Sequence, residues 1–161
     1  MDAEPVRWLT HEQLRAWIRL EAVAELLPPV LDSQLQRDAQ LTHFEYLVLA
    51  KLSEAPDRVL RMTALAATTN ATLPRLSHVV SRLEARDFVE RVPCPSDRRA
   101  TNAHLTEAGW QKVVDTAPGH VATVRETVID ALTDEQLRQL DDIMAALLRR
   151  LDPDNTLRYL P

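Results

Sequence analysis

Threonine residues that can begin helices are the feature that most constrains the fold of this chain. A threonine just outside a helix accepts a hydrogen bond from a backbone N–H, and a Glu or Gln three residues later completes a reciprocal pair, the capping box. Three threonines meet both conditions, namely Thr10, Thr42 and Thr133. A fourth, Thr72, is followed by Pro74, which is tolerated in a first helical turn. The chain is therefore predicted to be mainly helical.

Apolar residues recur at helical spacing in the N-terminal half. They predict a first helix over about 11–36, a second over 43–54 and a short third over 63–68. The pair Pro28-Pro29 interrupts the first pattern and is expected to kink or split that helix.

Two further helices are predicted in the C-terminal part. Thr106 begins a long one that extends beyond Val128, with a bend or break expected at Pro118-Gly119. The last helix follows Thr133, and its leucines and methionine recur at steps of three and four residues, a pattern typical of contact with another helix. These residues are Leu137, Leu140, Met144, Leu147 and Leu151.

The segment 73–86 has one apolar face at helical spacing, and its other face is short, polar and basic. That polar face comprises Pro74, Arg75, Ser77, His78, Ser81 and Arg82. After it, 88–92 alternates as a strand, 93–101 is interpreted as a charged turn, and 102–105 returns as a second strand. A short helix, a turn, a second helix and a hairpin together form a winged helix-turn-helix, whose second helix enters the DNA major groove.

The charge distribution favours DNA although the total charge does not. The formal net charge is -5. Between Leu73 and Arg99, however, arginines outnumber acidic residues by two, so the rest of the chain is correspondingly more negative. A local basic surface is what a nucleic acid requires.

Several other classes of protein are excluded or disfavoured. Gly109 and Gly119 are the only glycines, so no glycine-rich phosphate loop can form. The single cysteine, Cys94, excludes an intramolecular disulfide and a zinc site with several cysteines. No nucleophile elbow or metal-binding pair occurs. We therefore predict that the chain is not an enzyme and that it has no cofactor and no metal site.

The sequence also lacks membrane signals. No apolar run approaches the ~20 residues that a membrane-spanning helix needs, and no basic segment followed by an apolar core stands at the N-terminus. A cytoplasmic location without a membrane partner is expected.

Three segments resemble the MarR family of transcriptional regulators. The stretch 72–91 resembles the family's recognition helix and first wing strand. The stretches 95–99 and 105–109 resemble its wing signature of Asp, any residue, Arg, then Leu-Thr and Gly. Asp87 stands where a helix-ending glycine is usual, and Ala103 where a larger aliphatic residue is usual.

The resemblance implies a single domain over 1–161, mainly α with a small β-wing. In it, about 42–106 would form the winged helix-turn-helix lobe, and about 1–37 and 107–151 a helical dimerisation lobe. The residues implied in DNA binding are Thr72, Pro74, Arg75, Ser77, His78, Ser81, Arg82, Asp97, Arg98 and Arg99. Those expected in dimerisation are Leu14, Trp17, Ile18, Leu137, Leu140, Met144, Leu147 and Leu151.

The implied function is sequence-specific binding of double-stranded DNA by a homodimer. Two recognition helices about one DNA turn apart, roughly 34–36 Å, require a near-palindromic operator. The resemblance further implies a repressor released by a small-molecule effector of unknown identity. Three alternatives stay open: a winged-helix dimer that binds protein instead of DNA, an unrecognised hydrolase or metal enzyme, and a redox-sensing regulator acting through Cys94.

Overall fold

The computed structural model describes residues 6–95 and 97–157, which form six α-helices and three strands. In chain order these are α1 (His11–Ala39), α2 (His43–Glu54), β1 (Val59–Arg61), α3 (Met62–Thr68), α4 (Leu73–Glu84), β2 (Val89–Cys94), β3 (Asp97–Leu105), α5 (Glu107–Thr127) and α6 (Asp134–Leu151). Short 3-10 turns, Pro56–Arg58 and Ile129–Ala131, precede β1 and α6. The predicted class, mainly α with a small β-wing, is confirmed.

The predicted threonine caps are present. Thr10, Thr42 and Thr133 each form a complete capping box with the residue three positions on. The Thr72 hydroxyl caps α4, and the Thr106 hydroxyl caps α5. Because each cap satisfies a backbone donor that would otherwise lack a partner, five of the six helix starts are set by local sequence.

Pro28-Pro29 and Pro118 do not divide their helices, so the split expected in the first helix and the break expected in the helix after Thr106 are wrong. The first helix runs through Pro28 and Pro29 to Ala39, and α5 runs through Pro118. A proline inside a helix costs about 3 kcal/mol. Here α1 and α5 pack along each other, and the buried Leu31 and Leu35 of α1 lie just after its prolines. This packing offsets the cost, as tertiary contacts commonly do.

The sheet has three antiparallel strands in the order β1-β3-β2. The prediction contained two strands and a turn over 93–101, and this is wrong because the strands continue to Cys94 and resume at Asp97. Strand β1 was missed, since three residues are too few to show alternation. Ala103 lies between both neighbouring strands and is fully buried. This enclosed position explains why a small residue is accommodated there.

One close junction joins the wing to α5. Asp87 adopts a left-handed conformation, with φ of 59°, as expected for a residue in the place of a helix-ending glycine. The Thr106 hydroxyl donates to the Asp87 carbonyl at 2.6 Å, and the Thr106 N–H donates to the Phe88 carbonyl at 3.1 Å. Gly109 follows within the first turn of α5 and packs so closely against the Phe88 carbonyl that no Cβ could be placed there. A glycine is therefore required at this contact.

The main hydrophobic core lies between α2, α3, α4, the sheet and the start of α5. It includes Leu49, Leu65, Leu76, Leu83 and Leu105, all essentially inaccessible to solvent. By contrast, no residue of α6 is buried, and the first twenty residues of α1 are exposed apart from Leu27. None of the described helices is long and apolar enough to cross a membrane.

Candidate nucleic-acid interface

The candidate recognition helix α4 is built with one face in the core. Leu76, Val79, Val80 and Leu83 are buried there, and the helix begins at the Thr72 cap, whose hydroxyl accepts the Arg75 N–H at 3.4 Å. Because the inner face is held rigidly, the outer face presents its side chains in fixed directions.

The turn before α4 is held by hydrogen bonds to α3. Thr69 is buried, and its hydroxyl donates to the Leu65 carbonyl at 2.7 Å. Asn70 adopts a left-handed conformation, with φ of 49°, and the Ala71 N–H then donates to the Ala66 carbonyl at 2.9 Å. These contacts fix α4 relative to α3, which is the helix-turn-helix arrangement predicted from the sequence.

Arg75 and Arg82 on the exposed face of α4 both contact α2. The Arg75 guanidinium carbon lies 4.2 Å from the centre of the Phe44 ring, a cation–π contact. Arg82 Nη2 lies 2.9 Å from Glu45 Oε1, and the Glu45 side chain is only 7% exposed. Both arginines are thus oriented before any ligand arrives. The half-exposed Arg82 retains a solvent-facing side, but its charge already has a partner.

His78 lies between these two arginines and is exposed. Asp32 of α1 and Phe44 of α2 face it across a groove of about 390 Å³ that Arg75 and Arg82 also line. This groove therefore lies where α1 and α2 meet the recognition helix.

Ser77 and Ser81 occupy the side of α4 that faces β2. The Ser81 hydroxyl donates to the Ser77 carbonyl at 3.1 Å, and Arg91 Nη2 lies 3.2 Å from both serine hydroxyls. These two serines were predicted to face the DNA groove. In the structure they contact Arg91 of the wing, whereas Arg75 and Arg82 contact α2. Pro74 is exposed in the first turn of α4.

The wing is organised around Asp97. Its carboxylate accepts the Arg99 N–H at 3.0 Å and lies 3.8 Å from Arg61 Nη1. Arg99 is exposed. Arg98 lies in β3, but its side chain is outside the part of the chain that the structure describes, as is the whole of Ser96. The aspartate thus links the start of β3 to Arg61 of β1 and to the backbone of Arg99.

Comparison with known proteins agrees with this geometry. A model of the MarR family matches residues 41–101. The chain is 47% identical to Sco3205, a MarR family transcriptional regulator of Streptomyces coelicolor whose crystal structure is a complex with DNA. The similarity covers 94% of each chain, with a TM-score of 0.88. The chain belongs to the MarR family.

Two further relatives support the assignment. The MarR family regulator AbsC of Streptomyces coelicolor is 39% identical over 91% of this chain and 98% of its own, with a TM-score of 0.86. The transcriptional regulator MhqR of Bacillus subtilis is 26% identical over 84% of this chain and 91% of its own. The protein is thus a transcriptional regulator with a DNA-binding winged helix, and its family is one of regulators rather than of enzymes.

Arg61 of this MarR family regulator is a basic residue beside the candidate interface, and the sequence did not predict its position. It directly precedes α3 and lines a cavity of about 400 Å³ together with Arg91, Asp97 and Arg99. A hydrogen bond to the Cys94 thiol, and secondarily the charges of Cys94 and Asp97, raise the pKa of Arg61. Its place beside the wing depends on β1, which left no periodic pattern in the sequence, so no signal could have found it.

Cys94, the candidate redox residue, is buried at the end of β2. Its sulfur accepts a hydrogen bond from Arg61 Nη2 at 3.4 Å. Reactive thiols combine nearby positive charge with exposure, and only the first condition is met here.

Most of the residues expected in dimerisation carry exposed apolar surface. Trp17 and Ile18 of α1 are 49% and 53% exposed, and Leu151 of α6 is 79% exposed. Leu14 and Leu147 are also exposed, and Leu137, Leu140 and Met144 are half-buried. Within the described residues, no group of three or more His, Cys, Asp or Glu side chains is arranged to hold a metal ion.

Proposed function

We propose that this regulator binds double-stranded DNA as a homodimer and represses transcription from a near-palindromic operator. The observation that supports this most directly is the exposed face of α4, where Arg75, His78 and Arg82 lie beside one another above a rigid apolar base. Arg99 of the wing lines a cavity together with Leu73 and Ser77 of α4, so a helix for the major groove and a hairpin for the adjacent groove lie near each other. The 47% identical Sco3205, crystallised with DNA, supports the same target.

Dimerisation is supported by apolar surface that the single chain leaves uncovered. The seam of α6 and the outward face of α1 expose large side chains, among them Trp17, Ile18, Leu147 and Leu151. A second copy would cover them through a two-fold interface and would place two recognition helices on successive turns of the duplex. A repressor follows because a dimer bound over a promoter obstructs polymerase. The DNA target is in keeping with the expected cytoplasmic location.

We further propose that a small-molecule effector binds between the flanking helices and the winged lobe. The groove that contains His78 is the candidate position, because Asp32 belongs to α1 whereas Arg75 and Arg82 belong to the recognition helix. A ligand there occupies side chains that are proposed to read bases, so it competes with DNA directly. It also favours release if it binds one spacing of the recognition helices better than the other, typically by ~1–3 kcal/mol.

The test is binding to sequences selected from random DNA, measured by fluorescence anisotropy over a range of salt concentrations. If each subunit neutralises about three to five phosphates, log affinity falls against log salt with a slope of about -5 to -9. The triple variant Arg75→Ala, Arg82→Ala, Arg99→Ala is expected to lose at least about 100-fold in affinity while it remains a dimer. Absence of DNA binding by the wild type even at low salt would instead indicate a protein-interaction module.

A matched control separates local contacts from total charge. The triple variant Arg37→Ala, Arg125→Ala, Arg138→Ala also removes three positive charges, from exposed arginines of α1, α5 and α6. Its DNA affinity is expected to stay within a few-fold of wild type. An equal loss in both triple variants would show that net charge, and not the face of α4 and the wing, governs binding.

A further inference from the structure

Arg91 of β2 bonds to the recognition helix at three successive turns. Its Nη1 forms an ion pair with Glu84 Oε2, and its backbone N–H donates to Glu84 Oε1 at 2.9 Å. Its Nη2 donates to the Ser77 carbonyl at 2.8 Å and lies 3.2 Å from the hydroxyls of Ser77 and Ser81. The seven residue steps from Ser77 to Glu84 span about 10 Å of helix. One guanidinium therefore contacts most of the length of α4.

The other side of Arg91 is fixed by the sheet. Arg91 pairs with Ala103 of β3, the other strand of the wing hairpin. Its side chain is 27% exposed and that of Glu84 is 29% exposed, so both charges are largely withdrawn from water. Charge-assisted bonds in such surroundings are stronger and more directional than bonds between neutral groups.

We propose that Arg91 is a positioning residue, which holds the recognition helix and the wing at a fixed orientation and withdraws Ser77 and Ser81 from base recognition. The inference rests on the proposed DNA-binding function. Arg91 donates to both serine hydroxyls, and the Ser81 hydroxyl donates its own proton to the Ser77 carbonyl. Base reading by α4 then belongs to Arg75, His78 and Arg82.

This role differs measurably from that of a phosphate contact. Loss of a phosphate contact weakens specific and non-specific DNA binding together and makes the salt slope shallower by about one unit per subunit. Loss of a positioning residue misaligns base contacts, so it lowers specific affinity and leaves non-specific affinity and the salt slope unchanged.

The experiment measures affinity for the selected operator and for a scrambled duplex of equal length. Arg91→Ala is expected to lower the ratio of the two affinities roughly 5- to 150-fold, the cost of about one mispositioned base contact. Arg91→Lys, which keeps the charge beside Glu84 but not the fork that reaches both serines, should restore part of that ratio. Arg86→Ala is the control, since Arg86 donates to the Gln40 carbonyl and stacks on Phe88.

A second variant keeps the inference testable if Arg91→Ala does not fold. Ser77→Ala with Ser81→Ala should leave the base preference of the selected site unchanged at every position, whereas Arg75→Ala should change it. A changed preference in the serine variant, or parallel loss of both affinities in Arg91→Ala, would overturn the positioning role. Either result would leave DNA binding by the wild type intact, so failure of the inference is distinguishable from failure of the proposed function.

Discussion

The winged lobe and the helices that flank it differ in where their apolar side chains are covered. In the lobe, Leu49, Leu65, Leu76 and Leu83 are inaccessible to solvent. In α6, which has the same alternation of apolar and polar residues, no side chain is buried. The same sequence pattern thus corresponds to a buried core in the winged lobe and to an uncovered surface on α6. We infer that the lobe is stabilised by its own chain and that the flanking helices depend on a second copy.

The largest effect is expected from a variant that disrupts the proposed contact between two copies of the chain. Ile18→Glu with Leu147→Glu places charges on the exposed apolar faces of α1 and α6, and we expect a monomer. A monomer contacts a single half-site of the operator. Its operator affinity should fall by about 100-fold or more, because binding to the two half-sites is no longer coupled through a dimer. Sedimentation and anisotropy measure both changes. Gln111→Glu with Gln139→Glu adds the same charge at exposed polar positions and should stay dimeric. A double apolar variant that remains a dimer would rule out this surface.

A smaller effect, on the free energy of unfolding, is expected from leucine substitutions at the two ends of α4. Leu83 is fully buried at the end of α4, and Leu73, at its start, is 45% exposed. Leu83→Ala should lower the free energy of unfolding by about 2–5 kcal/mol because it leaves a cavity. Leu73→Ala should cost less than about 1 kcal/mol. Urea unfolding of both variants measures the difference, and equal losses would mean that burial does not distinguish the two ends.

The two glycines provide a matched pair in α5. At Gly109 a Cβ would collide with the Phe88 carbonyl and approach Leu105 Cδ1 to 2.7 Å, so Gly109→Ala should cost about 1–3 kcal/mol of stability. At Gly119 the nearest atom, Gln34 Nε2, would be 3.5 Å away, so Gly119→Ala should stabilise the helix by about 0.5–1 kcal/mol. Thermal unfolding gives both signs. Destabilisation of similar size at both sites would show that helix packing, and not the junction with Phe88, requires glycine.

Local sequence signals predicted where the helices begin. Contacts between distant residues determined the continuity of α5 and the formation of β1. The capping boxes at Thr10, Thr42 and Thr133 are present because a cap depends on four consecutive residues. The break expected at Pro118 did not occur, because packing between α1 and α5 outweighs the local cost. Strand β1 exists only through its pairing with β3, more than forty residues away, which no local pattern records.

The sequence predicted which residues of α4 are exposed, but it did not predict which residues of other elements contact them. Arg75, His78 and Arg82 are exposed on α4 as the helical period requires. The sequence could not show that Arg82 meets Glu45, or that Arg91 meets Ser77 and Glu84, since those contacts depend on how α2 and β2 pack on the helix.

The smallest expected effect tests the junction between the two regions. His43 begins α2 and His120 lies in α5, with ring centres 6.2 Å apart. Burial lowers the pKa of His43, partly opposed by the charge of Asp32. Burial and then the charge of His43 lower the pKa of His120. The unfolded chain, in which histidine has a pKa of about 6.5, binds more protons below that value. Stability should therefore fall as pH falls through about 6.5 and level off below the lowered folded pKa values.

Unfolding midpoints measured between about pH 7.5 and 5.5 check this expectation. His43→Gln with His120→Gln should remove much of the pH dependence in that window, whereas His11→Gln, at an exposed position, should retain it. Asp38 and Asp152 also have lowered pKa values, through hydrogen bonds to Gln34 and to the Leu157 backbone respectively. Their contribution is lost only at more acidic pH, below the ordinary aspartate pKa of about 3.9. An unchanged slope in the double histidine variant would mean that the junction does not respond to protons, and that the winged lobe and α5 are joined there by packing alone.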